Sequence, residues 1–134
     1  MSQNEVNRFE LFYHILAKWL YVRQRNRNLV PYFEDNFVRN VAVYGMGALG
    51  ERLVDELEGT QVMVSFAIDR MAERKKFGKL PILGLDKADY PETELLIVTP
   101  VYDYWDIVEL MQDRINVPIV SLEDIVDYCW SEDK

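Results

Sequence analysis

The sequence is poor in the residues on which much protein chemistry depends. A single cysteine, Cys129, rules out an internal disulfide and a multi-cysteine zinc site. Its neighbours are Tyr128 and Trp130, and no histidine stands near it, so a small buried or fraying apolar role is expected in place of a nucleophile. The single histidine, His14, lies between Tyr13 and Ile15 in an apolar segment, the setting of a core or interface residue more than of a catalytic base. Metal-ligand spacing is absent. No run reaches the roughly 20 apolar residues of a membrane helix, so no membrane span is expected. Met1-Ser2-Gln3-Asn4-Glu5 offers no basic stretch leading into an apolar one, so no secretory signal is expected and a cytoplasmic location is.

What is present describes a folded domain. The chain has 134 residues, of which 49% are apolar, enough for a sizeable core and too many for a disordered segment. Net charge is −8, unevenly spread. Residues 1–28 hold five basic and two acidic side chains, a net +3, which leaves −11 on the remainder. A body this acidic repels a phosphate backbone, so no nucleic-acid partner is expected.

From Glu5 to about Arg25 the pattern is that of one uninterrupted helix. Val6, Phe9, Phe12, Tyr13, Leu16, Trp19 and Leu20 recur at helical spacing, and Leu11, Ile15 and Val22 widen the stripe. Phe9, Phe12, Leu16, Trp19 and Leu20 are taken as one face. The girth of this apolar surface exceeds what one sheet face covers, which points to a homodimer through the N-terminal helix. A polar hinge ending at Pro31 and a short helix or turn over Tyr32–Phe37 follow.

At Asn40 the period changes. Val41-Ala42-Val43-Tyr44 is a buried strand running into a glycine loop, and Ala48 to Glu58 is a helix closed by Gly59. Val62 to Ile68 is a second strand, Leu80-Pro81-Ile82-Leu83 a short edge strand, Leu95 to Val98 a buried strand and Pro118 to Val120 the last. Helices after Asp103 and Ser121 are expected, each with an aspartate three residues on. The fold class is therefore α/β, a Rossmann-like parallel sheet of about five strands. Residues 1–39 form an N-terminal helical extension and residues 40–134 the nucleotide-binding domain.

The loop Gly45-Met46-Gly47-Ala48-Leu49-Gly50 is a G-x-G-x-x-G sequence in its proper setting. It follows a strand, opens a helix, and is answered by Asp69 at the end of the next strand. Gly45 allows the tight turn, Gly47 lets the backbone approach a diphosphate, and Gly50 lets helix and strand pack closely. Amides at the helix start then receive negative charge, and Asp69 accepts from ribose hydroxyls. Asp69 favours NAD over NADP. The cluster Arg70, Arg74, Lys75, Lys76 and Lys79 is compatible with screening Asp69, holding another phosphate, or plain solvation. Gly50 is followed by Glu51-Arg52, so the loop is not a P-loop. No tyrosine precedes a lysine by four positions, so the short-chain dehydrogenase pair is missing, and no carboxylate pair stands out.

Val41 to Ile125 resembles the NAD(H)-binding half of Rex-type redox-sensing repressors and the related CoA-binding domains. It also resembles the nucleotide-sugar-binding N-terminal domain of bacterial sugar O-acyltransferases. The resemblance is carried by Val43 to Gly50, Phe66-Ala67-Ile68-Asp69, Gly78 to Gly84, Leu96 to Pro100 and Ile119-Val120-Ser121-Leu122. It implies the diphosphate at Gly45–Gly50, the ribose at Asp69 with Arg70 beside it, and the distal half of the ligand against Thr99 and Pro100. NAD is the expected cofactor, with NADP, CoA or a nucleotide sugar as alternatives. Residues 1–39 are too short and too apolar for the winged helix of the repressors, and a β-helix like that of the acyltransferases is not expected here. The expectation is an accessory or regulatory nucleotide-binding module linked to bacterial cell-surface polysaccharide or nucleotide-sugar metabolism. The alternatives are a small enzyme completed by another subunit, and a structural interaction domain with a vestigial loop.

Overall fold

A six-stranded sheet forms the middle of the molecule, in a computed structural model that describes residues 1–71, 73–87 and 89–131. In chain order the elements are α1 (Gln3–Gln24), α2 (Val30–Asp35), β1 (Asn40–Tyr44), α3 (Ala48–Leu57), β2 (Met63–Ile68), β3 (Lys76–Phe77), β4 (Leu80–Leu83) and β5 (Leu95–Val98). A 3-10 turn at Val101–Asp103, α4 (Tyr104–Met111), β6 (Ile119–Ser121) and α5 (Leu122–Ser131) complete it. The strand order is β3-β4-β2-β1-β5-β6.

The architecture is α/β with a mostly parallel sheet, in keeping with a Rossmann-like arrangement. It departs from the expected all-parallel set of about five strands at one edge. β3 pairs antiparallel with β4, Lys76 opposite Pro81 and Phe77 opposite Leu80, so β4 is an inner strand and β3 the edge. The basic run around Lys75 hid this two-residue strand from pattern reading, because a strand at a wet edge needs no apolar alternation.

Strand side chains alternate between two cores. Val41, Val43, Leu95 and Ile97 meet α1, α2, α3 and α5 on one face. Ala42, Tyr44, Leu96 and Val98 meet α4 on the other through Ile107 and Met111. The central strand β1 is buried on both faces, which is why its sequence is apolar without alternation.

α1 begins with a capping box between Ser2 and Glu5. Its inward face differs from the stripe read from sequence. Ile15, Trp19 and Val22 are buried against the core that includes α5, while Phe9, Leu16 and Leu20 point outward. Burying the three inner side chains contributes roughly 1.5–3 kcal/mol each. His14 is exposed, so it is not a core residue. Cys129 is fully buried, as expected of a small apolar residue.

Candidate nucleotide-binding site

In an open α/β sheet, ligands sit beyond the carboxyl ends of strands where successive connections leave on opposite faces. That point here lies between β1 and β5. The chain leaves β1 for α3 on one face and leaves β5 for α4 on the other. The glycine loop and Thr99-Pro100 therefore stand side by side.

The loop's geometry follows from its glycines. Gly45 turns the chain at φ +97°, a conformation that side chains other than glycine's rarely adopt. A Cβ there would also lie 2.6 Å from the Pro100 ring and from Thr99 Oγ1. Its amide donates to the Ile68 carbonyl at 2.8 Å, tying the turn to the end of β2. A Cβ on Gly50 would come within 2.0 Å of the Gly45 carbonyl oxygen, so α3 can start against the turn only with glycine there. Gly47 differs from both: it has an ordinary backbone at φ −82°, and nothing lies within 4 Å of where its Cβ would be.

Gly47 is also the N-cap of α3, and no side chain caps this helix start. The amides of Ala48 and Leu49 find no acceptor among the described residues, while Gly47 and Ala48 are exposed. Met46 and Leu49 turn inward, Met46 being buried. This leaves a solvent-facing set of free donors at the positive end of a helix dipole.

Asp69 reaches across from the end of β2. One carboxylate oxygen accepts from Met46 N at 2.9 Å and the other from Met71 N at 2.9 Å. The carboxylate thus braces the glycine loop as well as facing it, and each oxygen retains a lone pair for a further donor. Arg70, next to it, is exposed and has no ion-pair partner among the described residues. Arg74 bridges the loop, donating to the Met46 carbonyl at 3.1 Å and pairing with Glu51 in the first turn of α3. Met46, Asp69, Met71, Glu73, Arg74 and Ile82 line a cleft of 360 Å³ beside the loop.

Thr99 and Pro100 serve the turn directly. Thr99 is buried, and its hydroxyl is shared between the carbonyl oxygens of Tyr44 at 3.1 Å and Gly45 at 2.7 Å. Sequence reasoning missed this role, and it missed Arg74 as a loop contact; both depend on residues that meet only in the folded chain. Tyr44, the last residue of β1, was missed as well. Its hydroxyl is buried with no hydrogen-bond partner among the described residues. Burial pushes its pKa up, with the Arg70 charge acting in the opposite direction.

A larger groove lies elsewhere. It has a volume of 780 Å³ and runs past Val54, Leu57, Val64, Phe77 and Leu80, where among the described residues no helix stands between β2 and β3. Its lining is mainly apolar and brings together no set of groups with evident chemistry. The cleft beside the glycine loop is smaller, and the free amides of Ala48 and Leu49 belong to the loop next to it. No group of three or more His, Cys, Asp or Glu among the described residues is placed to hold a metal ion. No helix among them is long and apolar enough to cross a membrane. Compared with known protein families and with curated proteins, the chain matches none.

Proposed function

We propose that the chain is a nucleotide-binding accessory or regulatory module that takes NAD(H) at the glycine loop and works as a homodimer through its N-terminal helix. The observation that carries the ligand reading is Gly47. The fold requires glycine at Gly45, by its positive φ, and at Gly50, by its contact with the Gly45 carbonyl. Among the described residues no close contact and no positive φ requires it at Gly47, where an N-cap merely favours it and a Cβ would enter open space in front of uncapped helix amides. A diphosphate approaching those amides supplies the missing reason. Asp69 supports the ribose half, since its carboxylate is held in place by two amides and keeps free lone pairs.

Arg70 favours a second reading in which the ligand carries a further phosphate, as NADP does. It is exposed and unpaired beside Asp69 among the described residues. A cytoplasmic setting and a link to bacterial cell-surface polysaccharide or nucleotide-sugar metabolism rest on the sequence resemblance alone. Titration calorimetry with NADH, NADPH, CoA and a nucleotide sugar distinguishes the readings. NADH binding with weaker NADPH binding supports the first, and the reverse order supports the second. Chemical turnover of a bound nucleotide would replace the module by an enzyme.

A further inference from the structure

The outer face of α1 takes no part in the crevice and carries a pattern of its own. Its inner face closes on the core through Ile15, Trp19 and Val22. On the outer side Val6, Phe9, Tyr13, Leu16 and Leu20 are between 40% and 67% exposed. Their spacing alternates three and four residues along the whole helix, the a/d repeat of a coiled-coil seam. A helix turned to water carries polar residues on that side, so the seam needs a cover.

The geometry points to a second copy of this chain as that cover, which rests on the homodimer reading already proposed, and to an antiparallel packing of the two α1 helices. The seam is self-complementary in that orientation. The register that matches a to d positions sets Phe9 against the partner's Leu20 and Tyr13 against the partner's Leu16. Val6 then meets the aliphatic stem of the partner's Arg23.

Charge selects the same orientation. Exposed Glu5 and Glu10 lie in the first half of α1 beside Arg8, whose charge is met by Asp103, and exposed Arg23, which also pairs with Glu56, lies in its last turn. Antiparallel packing sets each acidic end beside the partner's basic end and opposes the helix dipoles, whereas parallel packing sets arginine against arginine. Shape agrees as well. Where α1 meets α3, a notch of 330 Å³ is floored by Leu16, Trp19 and Leu20, beside the position assigned to the partner's Phe9.

The test is sedimentation equilibrium on the full chain without nucleotide, so its outcome is independent of the ligand reading. A dimer is expected. The double substitution Leu16→Glu and Leu20→Glu, both on exposed positions, should leave the circular dichroism spectrum unchanged. It should raise the dimer dissociation constant by about a hundredfold or more, as burying two charges from each chain in the seam implies. In a Cys129→Ala background, Phe9→Cys chains mixed with Leu20→Cys chains should form a disulfide between unlike chains. Self-linking of Phe9→Cys alone would establish parallel packing and overturn the orientation. A monomeric wild type overturns the inference. Flotation of that monomer with anionic lipid vesicles would give the seam to a membrane surface and overturn it equally.

Discussion

Asp69 and Tyr44 show how individual side chains divide between building the crevice and using it. Asp69 accepts two backbone amides in the folded chain. Hydrogen bonds to a charged group are each worth roughly 1.5–3 kcal/mol, so removing the carboxylate affects more than ligand binding. Asp69→Ala should lower the unfolding free energy of the ligand-free protein by about 1–3 kcal/mol and also weaken NADH binding tenfold or more. Denaturant titration and calorimetry measure the two effects separately. Asp69→Asn, which keeps an acceptor oxygen, should recover part of the stability while losing preference against a 2′-phosphate. Tyr44 presents the converse case. A buried hydroxyl without a partner costs about 1–3 kcal/mol relative to an apolar group of the same shape. Tyr44→Phe should therefore raise the melting temperature of the ligand-free protein, and a fall would show that the hydroxyl has a partner in solution.

Elements differ in how far their sequences announced them. The strand, turn and helix around Gly45 to Gly50 were legible because each local signal agrees with the next. Apolar β1, a turn needing positive φ, and a helix with Leu53 and Leu57 inward all point to one arrangement. The inward face of α1 was not legible, because apolar residues run most of the way round it and only contact with α5 decides which are covered. The hairpin of β3 and β4 was half legible: Leu80 to Leu83 had a strand's composition, but Lys76 and Phe77 had no apolar period. The bracing by Thr99 and Arg74 links positions far apart in sequence, which no local pattern encodes.

α5 carries a prediction at this scale. Ser121 Oγ accepts from Glu123 N at its start, and Glu123, Asp124 and Asp127 crowd the first turns. Burial, then the charges of Asp127 and Asp124, raise the Glu123 pKa above its usual 4.5, with Lys18 opposing. A carboxyl whose pKa is raised by folding contributes fully below its unfolded value and loses that contribution as pH rises through its folded one. Glu123→Gln should thus gain stability over wild type at pH 7, and the gain should shrink as pH falls through the raised folded pKa and be gone by about pH 4, below the unfolded value. Thermal melts across that range measure it, and a difference constant with pH would contradict it.

At the scale of the whole molecule, the sheet gathers the crevice at one end while α1 runs from that end along one face. The first turns of α1 touch the 3-10 turn that leaves β5, through Arg8 with Asp103 at 3.5 Å and Asn4 with Tyr102. The proposed dimer seam therefore lies on a helix whose first turns touch the segment that follows the crevice's Thr99-Pro100. The acidic body, −11 outside residues 1–28, makes free helix amides and nearby cations the natural place for an anionic ligand.

Gly47 decides whether that place is used. Its backbone lies in a region open to any residue, and its Cβ position is empty, so Gly47→Val should leave folding intact. Circular dichroism should match wild type, and the melting temperature should fall by no more than a few degrees, the cost of replacing glycine at an N-cap. Calorimetric titration of NADH into both proteins is the direct measurement. Wild-type binding that the valine abolishes is expected, because the side chain would stand between the diphosphate and the α3 amides. Equal affinity in the two proteins, or no nucleotide bound by the wild type, would contradict the assignment of the glycine loop as a nucleotide site.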